Sequence, residues 1–180
     1  MTASFGRGVE LDLKKHFVTE LKSTYRARIA AAARAEAEAS GEADPAEGDS
    51  RRRDEAKEAA LQGRLASGHR RRRKQAVAEM ERLLEFAEGG MRRFRSSDRI
   101  GVGALVDVRV EDEDGEDERT LFLLPVGAGV ELPGPGGDGF ITVVTPGSPV
   151  GKALSGAQID DCFEIVVDGG DREWTVVDIS

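Results

Sequence analysis

Two long stretches of helical periodicity fill residues 10–88, and one acidic break divides them: Gly41-Glu42-Ala43-Asp44-Pro45-Ala46-Glu47-Gly48-Asp49-Ser50. In the first stretch Leu13, Phe17, Leu21 and Tyr25 recur every fourth residue, and an alanine-rich run continues to Ala39. That spacing gathers the four on one stripe and leaves Lys14, Lys15, Lys22, Arg26 and Arg34 facing outward. In the second, Ala56, Ala60, Leu61, Leu65, Ala76, Met80, Leu83, Leu84 and Phe86 fall at helical intervals. Gly41 and Pro45 stop the first helix, while Asp49 or Ser50 caps the second, with Asp54 and Glu55 near its positive end. The pattern predicts an antiparallel helical hairpin with arms about 45 Å long, in which Leu13 and Phe17 meet Met80, Leu83 and Leu84. A coiled-coil dimer between two chains satisfies the same periodicity and is the alternative. Four carboxylates on the bend serve no core. They belong either to a solvated turn or to a group delivered into another molecule's site.

Charge divides the chain in the same way. Residues 1–97 hold 21 Lys and Arg against 16 Asp and Glu, net +5; residues 98–180 hold 5 against 18, net −13. Such asymmetry marks two modules with different electrostatic tasks. The basic half suits nucleic acid, DNA included, or an acidic protein surface, whereas phosphate repels the acidic half. A single cysteine, Cys162, excludes an intramolecular disulfide and fits a reducing compartment. No apolar run reaches the roughly 20 residues a membrane span needs, and the first residues lack an apolar signal core. The expectation is a soluble, cytoplasmic monomer with no membrane contact.

Gly89-Gly90 and Ser96-Ser97 make residues 89–97 a linker, with residues 1–9 as an N-terminal tail. Beyond the linker the period changes to two. Val106, Val108 and Val110 alternate with polar residues, 111–118 reads as an acidic loop, and Arg119–Leu124 returns as the second strand of a hairpin. A Gly/Pro-rich loop with six glycines covers 127–139, followed by a strand at 140–144. Ser148-Pro149 reads as a helix start, serine capping and proline in the first turn, with Gly156 as the stop. Strands at 162–167 and 173–179 flank the turn 168–171. The fold class is therefore α+β: a helical hairpin with an acidic tip at 41–50, then a small sheet domain, 98–180, with one short helix. Trp174 and Cys162 are expected inside it.

The stretch from Thr145 to Ile165 resembles the C-terminal signature of bacterial Gre-type transcription elongation factors. Ser148, Pro149, Gly151, Lys152, Ala153, Leu154, Gly156 and Asp161 match the family pattern, and Asp160 stands where the family has glycine. Members pair an N-terminal antiparallel coiled coil with an FKBP-like C-terminal domain, which is the order read above. The resemblance implies an RNA polymerase partner, with the C-terminal domain docking through Ser148, Pro149, Gly151 and Lys152 on the rim of the secondary channel. The coiled coil then reaches toward the catalytic Mg²⁺, and the factor modulates polymerase without being an enzyme itself.

In cleavage factors of this family the tip reads Gly-Asp-Leu-x-Glu-Asn-Ala-Glu-Tyr. This chain lacks Asn-Ala-Glu-Tyr. Its Gln62-Gly63-Arg64-Leu65 resembles a family Glu-Gly-Arg-Ile. With Gly41 on the tip glycine, Glu42 and Glu47 fall at the acidic catalytic positions, leaving Asp44 and Asp49 as further metal ligands. Mg²⁺ is expected to be shared with polymerase, since it takes one or two carboxylates plus phosphate oxygens and water. The basic block Arg70-Arg71-Arg72-Arg73-Lys74 is either a solvated helix face or a contact for nascent RNA or polymerase. Family inhibitors with acid-rich tips block the channel instead of cleaving, so that reading stays open. Two others stay open as well: a non-catalytic coiled-coil adaptor, and a prolyl isomerase, which the few aromatics of the second module disfavour. His16 and His69 have no cysteine or histidine partners for zinc, and no lysine-serine or lysine-threonine follows Gly134–Gly139 to make a phosphate loop.

Overall fold

The computed structural model describes residues 9–41, 51–112, 115–137, 139–167 and 170–180. Two long helices come first, α1 (Val9–Gly41) and α2 (Arg51–Glu88). The six strands are β1 (Leu105–Asp112), β2 (Gly115–Leu123), β3 (Glu131–Pro133), β4 (Phe140–Val144), β5 (Cys162–Val167) and β6 (Gly170–Ile179), with α3 (Pro149–Leu154) between β4 and β5. They form one sheet in the order β3-β4-β2-β1-β6-β5. Only the β2–β4 pair, Leu121 opposite Thr142, runs parallel among the described strands. Two compact units result: one joins α1 up to Lys22 with Arg82–Ser180, the other is Ser23–Glu81.

The Ser23–Glu81 unit is an antiparallel pair of helical segments. Glu36 on α1 meets Arg70 and Arg73 on α2, while Tyr25, eleven residues earlier, lies beside Glu79, later in α2. Partners that run in opposite directions along the chain define the hairpin. Ala66 and Ala76 are its buried α2 residues, and alanine at those positions lets two helices approach closely.

In the other unit, Val106, Val108, Val110, Leu121, Leu123, Val144, Trp174 and Val176 project from one sheet face into a core closed by Phe94, Ile100 and Leu154. Strand alternation sends Phe122 to the opposite face, where its ring meets Phe17 edge-on at 6.2 Å. The start of α1 thus covers one end of that face. Leu21 packs there as well, against the Cα of Gly127, whose φ of 93° and closeness to Leu21 both disfavour a side chain.

Several expectations are corrected. Lys14 is not outward but fully buried, because Phe94 and the Arg92 carbonyl close over it. Cys162 is exposed, since it sits on edge strand β5 and faces away from the core beside Thr175. The described part of the acidic segment, 111–112 and 115–118, is strand, continuing the pairing from Leu105–Phe122 to Asp112–Gly115, with Arg109 offsetting Glu116. The Gly/Pro-rich loop contains β3 and a 3₁₀ turn at Pro135–Gly137, and β6 begins at Gly170, three residues early. Leu84 is partly exposed, at 36%, while Leu83 takes the buried position one step round the helix. Trp174 is buried as expected.

Candidate functional site

Residues 148–152 fold as the sequence predicts, and the reasons are local. Ser148 has extended backbone angles and its Oγ accepts from the Gly151 N–H at 3.1 Å, capping α3. The same hydroxyl donates to the Thr145 carbonyl at 2.8 Å. Pro149 follows in the first turn, where its missing N–H leaves no helix bond unmade. Gly151 is buried with its Cα against Thr145. At the far end Gly156, at φ 87°, turns the chain; its N–H reaches the Ile100 carbonyl, and the Arg99 guanidinium donates back to the Gly156 carbonyl at 2.8 Å. Ser148 and Gly151 are therefore consumed in shaping the turn. Of the four docking candidates Pro149 and Lys152 are exposed, and no carboxylate among the described residues pairs with Lys152.

The basic block is divided by helical geometry. Arg70 donates to Glu36 at 2.7 Å and Arg73 lies 3.2 Å from the same carboxylate. The Arg70 hydrogen bond, with Arg73 and Lys74 adding charge, holds the Glu36 carboxyl below the usual carboxylate range. Arg71, Arg72 and Lys74 stay exposed. The turn 69-72-76-79 borders a different part of the seam, a groove of about 460 Å³ that Arg28 and Ala32 line from α1. Arg28 stands over the Tyr25 ring at 5.7 Å. The Tyr25 phenol is buried, and burial, helped by Glu79, raises it far above its ordinary range. The sequence reading takes the arginine run as one patch, weighs His69 only as a zinc ligand and passes over Arg28. The three- to four-residue spacing of His69, Arg72, Ala76 and Glu79 was the available signal.

Glu42, Asp44, Glu47 and Asp49 lie outside the described residues, so the tip is known by its sequence alone. Among the described residues no three His, Cys, Asp or Glu side chains cluster as a metal site. Among the described residues no helix is long and apolar enough to cross a membrane.

Residues 95–180 match the family model described as transcription elongation factor, GreA/GreB, C-terminal. Residues 95–180 are thereby a C-terminal module of the GreA/GreB type. The matched Gre-type segment begins beside Phe94 and holds the whole sheet with α3. No curated protein matches the chain. Among solved structures it is similar to GreA factor homolog 1 (Gfh1) of Thermus thermophilus, at 19% identity over 91% of this chain and 92% of that one, TM-score 0.35. Gfh1 of Thermus aquaticus gives 18% identity over 90% of each chain, TM-score 0.33. GreA/GreB from Nitrosomonas europaea gives 22% identity over 46% of this chain and 61% of that one, TM-score 0.32. Superpositions this loose add nothing to the match of residues 95–180, on which the Gre-type likeness rests.

Proposed function

We propose that the chain acts on RNA polymerase from the secondary channel, its Gre-type module docking on the rim and its hairpin bringing the tip acids toward the catalytic centre. One observation carries this reading: a matched Gre-type module follows two antiparallel helices, and the sequence that joins those helices holds four carboxylates. Lys152 is the exposed charge of the docking segment. Arg71, Arg72 and Lys74 are the members of the basic block left open to RNA or polymerase.

The bend offers oxygen donors alone, the type Mg²⁺ prefers, so its residues fit that metal chemically. Asp44 and Asp49 would help hold it; Glu42 and Glu47 would orient and deprotonate a water. A polymerase-held Mg²⁺ supplies the lowered water pKa that makes hydroxide available at neutral pH. Carboxylates on a Gly- and Pro-containing turn bind such an ion weakly by themselves, so the chain supplies ligands without an active site of its own. In this reading the outcome is cleavage of backtracked RNA.

A second reading has its own observation. The missing Asn-Ala-Glu-Tyr leaves acids that can grip the metal without aligning water, and the factor then blocks the channel. Stalled, backtracked polymerase with labelled RNA separates the two. Shortened transcripts that disappear with Glu42→Ala/Glu47→Ala establish cleavage; slowed elongation without shortening establishes blocking. Absence of polymerase binding would refute both and leave a coiled-coil adaptor.

A further inference from the structure

The hairpin carries cationic side chains that no carboxylate among the described residues neutralises. Within the arginine run, Arg70 and Arg73 are neutralised by Glu36. Arg72 instead borders the groove of about 460 Å³, together with His69 from the same helix and Arg28 from the other. Among the described residues no carboxylate forms an ion pair with Arg28 or Arg72. Two exposed guanidinium groups of like charge, supplied to one concavity by separate helices, set up a positive field there that favours an anion. We propose that this groove binds a compact polyphosphate group, such as a free nucleotide or pyrophosphate presents.

Three features select that ligand class. Two arginine forks and an imidazole offer many N–H donors to a group with several oxygens on each phosphorus, and guanidinium matches phosphate in a bidentate manner. The volume lies within the range of small-molecule sites, larger than one phosphate needs. The stretch from His69 to Glu79 is about 15 Å at the helical rise, and Glu79 closes the cationic part at that end. A compact anion fits between His69 and Glu79, whereas an extended strand following the seam would run onto that carboxylate. Ala31, Ala32 and Ala76 keep the floor low enough for the ligand to reach both helices. This site stands whether or not the chain acts on polymerase.

The test is calorimetric titration of the full chain with tripolyphosphate, with a nucleoside triphosphate and with a single-stranded oligonucleotide lacking a terminal phosphate. Arg28→Lys and Arg72→Lys keep charge and helix, so folding is not in question, but remove the fork. One-to-one binding of the free phosphates is expected, weakened about tenfold by either substitution, against a change within about twofold for Arg71→Lys outside the groove. Three results overturn the proposal: no binding of tripolyphosphate at millimolar concentration, equal weakening by Arg71→Lys, or binding of the oligonucleotide alone. The last would assign the cations to a nucleic-acid strand.

Discussion

The Cα of Gly151 lies so close to the Thr145 carbonyl that any Cβ would overlap its oxygen and stand 2.6 Å from its carbon. Both atoms are backbone, and the Ser148 hydroxyl ties them in place from two sides. Nothing flexible is available to give way. Gly151→Ala is expected to destabilise the sheet unit by about 3 kcal/mol, read as a lower midpoint in urea unfolding followed through Trp174 fluorescence.

Lys152 occupies the next position and has the opposite character. It is exposed and makes no ion pair among the described residues, so Lys152→Glu should shift stability by no more than about 0.5 kcal/mol. If the segment docks on polymerase, reversing this charge weakens binding about tenfold, mostly through slower association at low salt. Unchanged binding in a co-sedimentation titration would remove Lys152 from the docking surface.

Asp160, where the family carries glycine, adopts a φ of 69°. Its N–H is committed to the Val176 carbonyl at 2.9 Å, so the left-handed conformation cannot relax without breaking a bond to β6. Aspartate tolerates this region better than most residues, and glycine better still. Asp160→Ala should cost about 1 kcal/mol, whereas Asp160→Gly should match or exceed the parent. The ordering Gly, then Asp, then Ala in thermal unfolding is the check; alanine equal to aspartate would contradict it.

What the sequence disclosed was what neighbouring residues decide. Helix periodicity, the break at Gly41 and the Ser148-Pro149 start all depend on partners a few positions away. The concealed features depend on distant ones. Lys14 looks solvent-facing on its own helix, yet the carbonyl that receives its ammonium belongs to Arg92, 78 residues on. The acids at 111–118 resemble a loop until Arg109 is set opposite Glu118 and within reach of Glu116. In Glu131–Pro133 the strand is three residues long and is hidden by the glycines after it. At the candidate sites, Ser148 and Gly151 were legible as a turn, but their consumption in shaping it was not.

Asp107 and Asp178 sit directly opposite each other on β1 and β6. Desolvation, then the nearby Asp178 and Glu118, raise the Asp107 carboxyl, while the Thr120 hydroxyl, donating at 2.6 Å, opposes that rise. A carboxyl raised in the folded state favours folding when protonated. Its contribution is full below pH 3.8 and is lost as pH climbs through the higher folded value. Asp107→Asn retains the oxygen that Thr120 contacts and removes the like charge. It should raise stability at pH 7 by about 0.5 kcal/mol and flatten the decline, as urea titrations at pH 3.5 and pH 7, both experimental settings of about those values, would reveal.

Lys14 sits with its ammonium 3.1 Å from Glu10, 3.2 Å from the Arg92 carbonyl and 5.1 Å from the centre of the Phe94 ring. Burial lowers its pKa from 10.5, and the Glu10 hydrogen bond only partly offsets this. The folded chain therefore releases this proton at lower pH than the unfolded chain does. Between those two values the unfolded state binds more protons, so this group's contribution to stability rises with pH and levels off only above 10.5. Lys14→Met fills the same space without the desolvated charge, and should stay within about 1 kcal/mol of the parent at neutral pH. Lys14→Ala opens a cavity beside Phe17 and Val18 and should cost about 2 kcal/mol. Unfolding midpoints from neutral pH to about pH 10 decide the matter: the parent's alkaline gain must vanish in Lys14→Met. If the gain persists, another base supplies it, and the Lys14 ammonium is better solvated than its burial indicates.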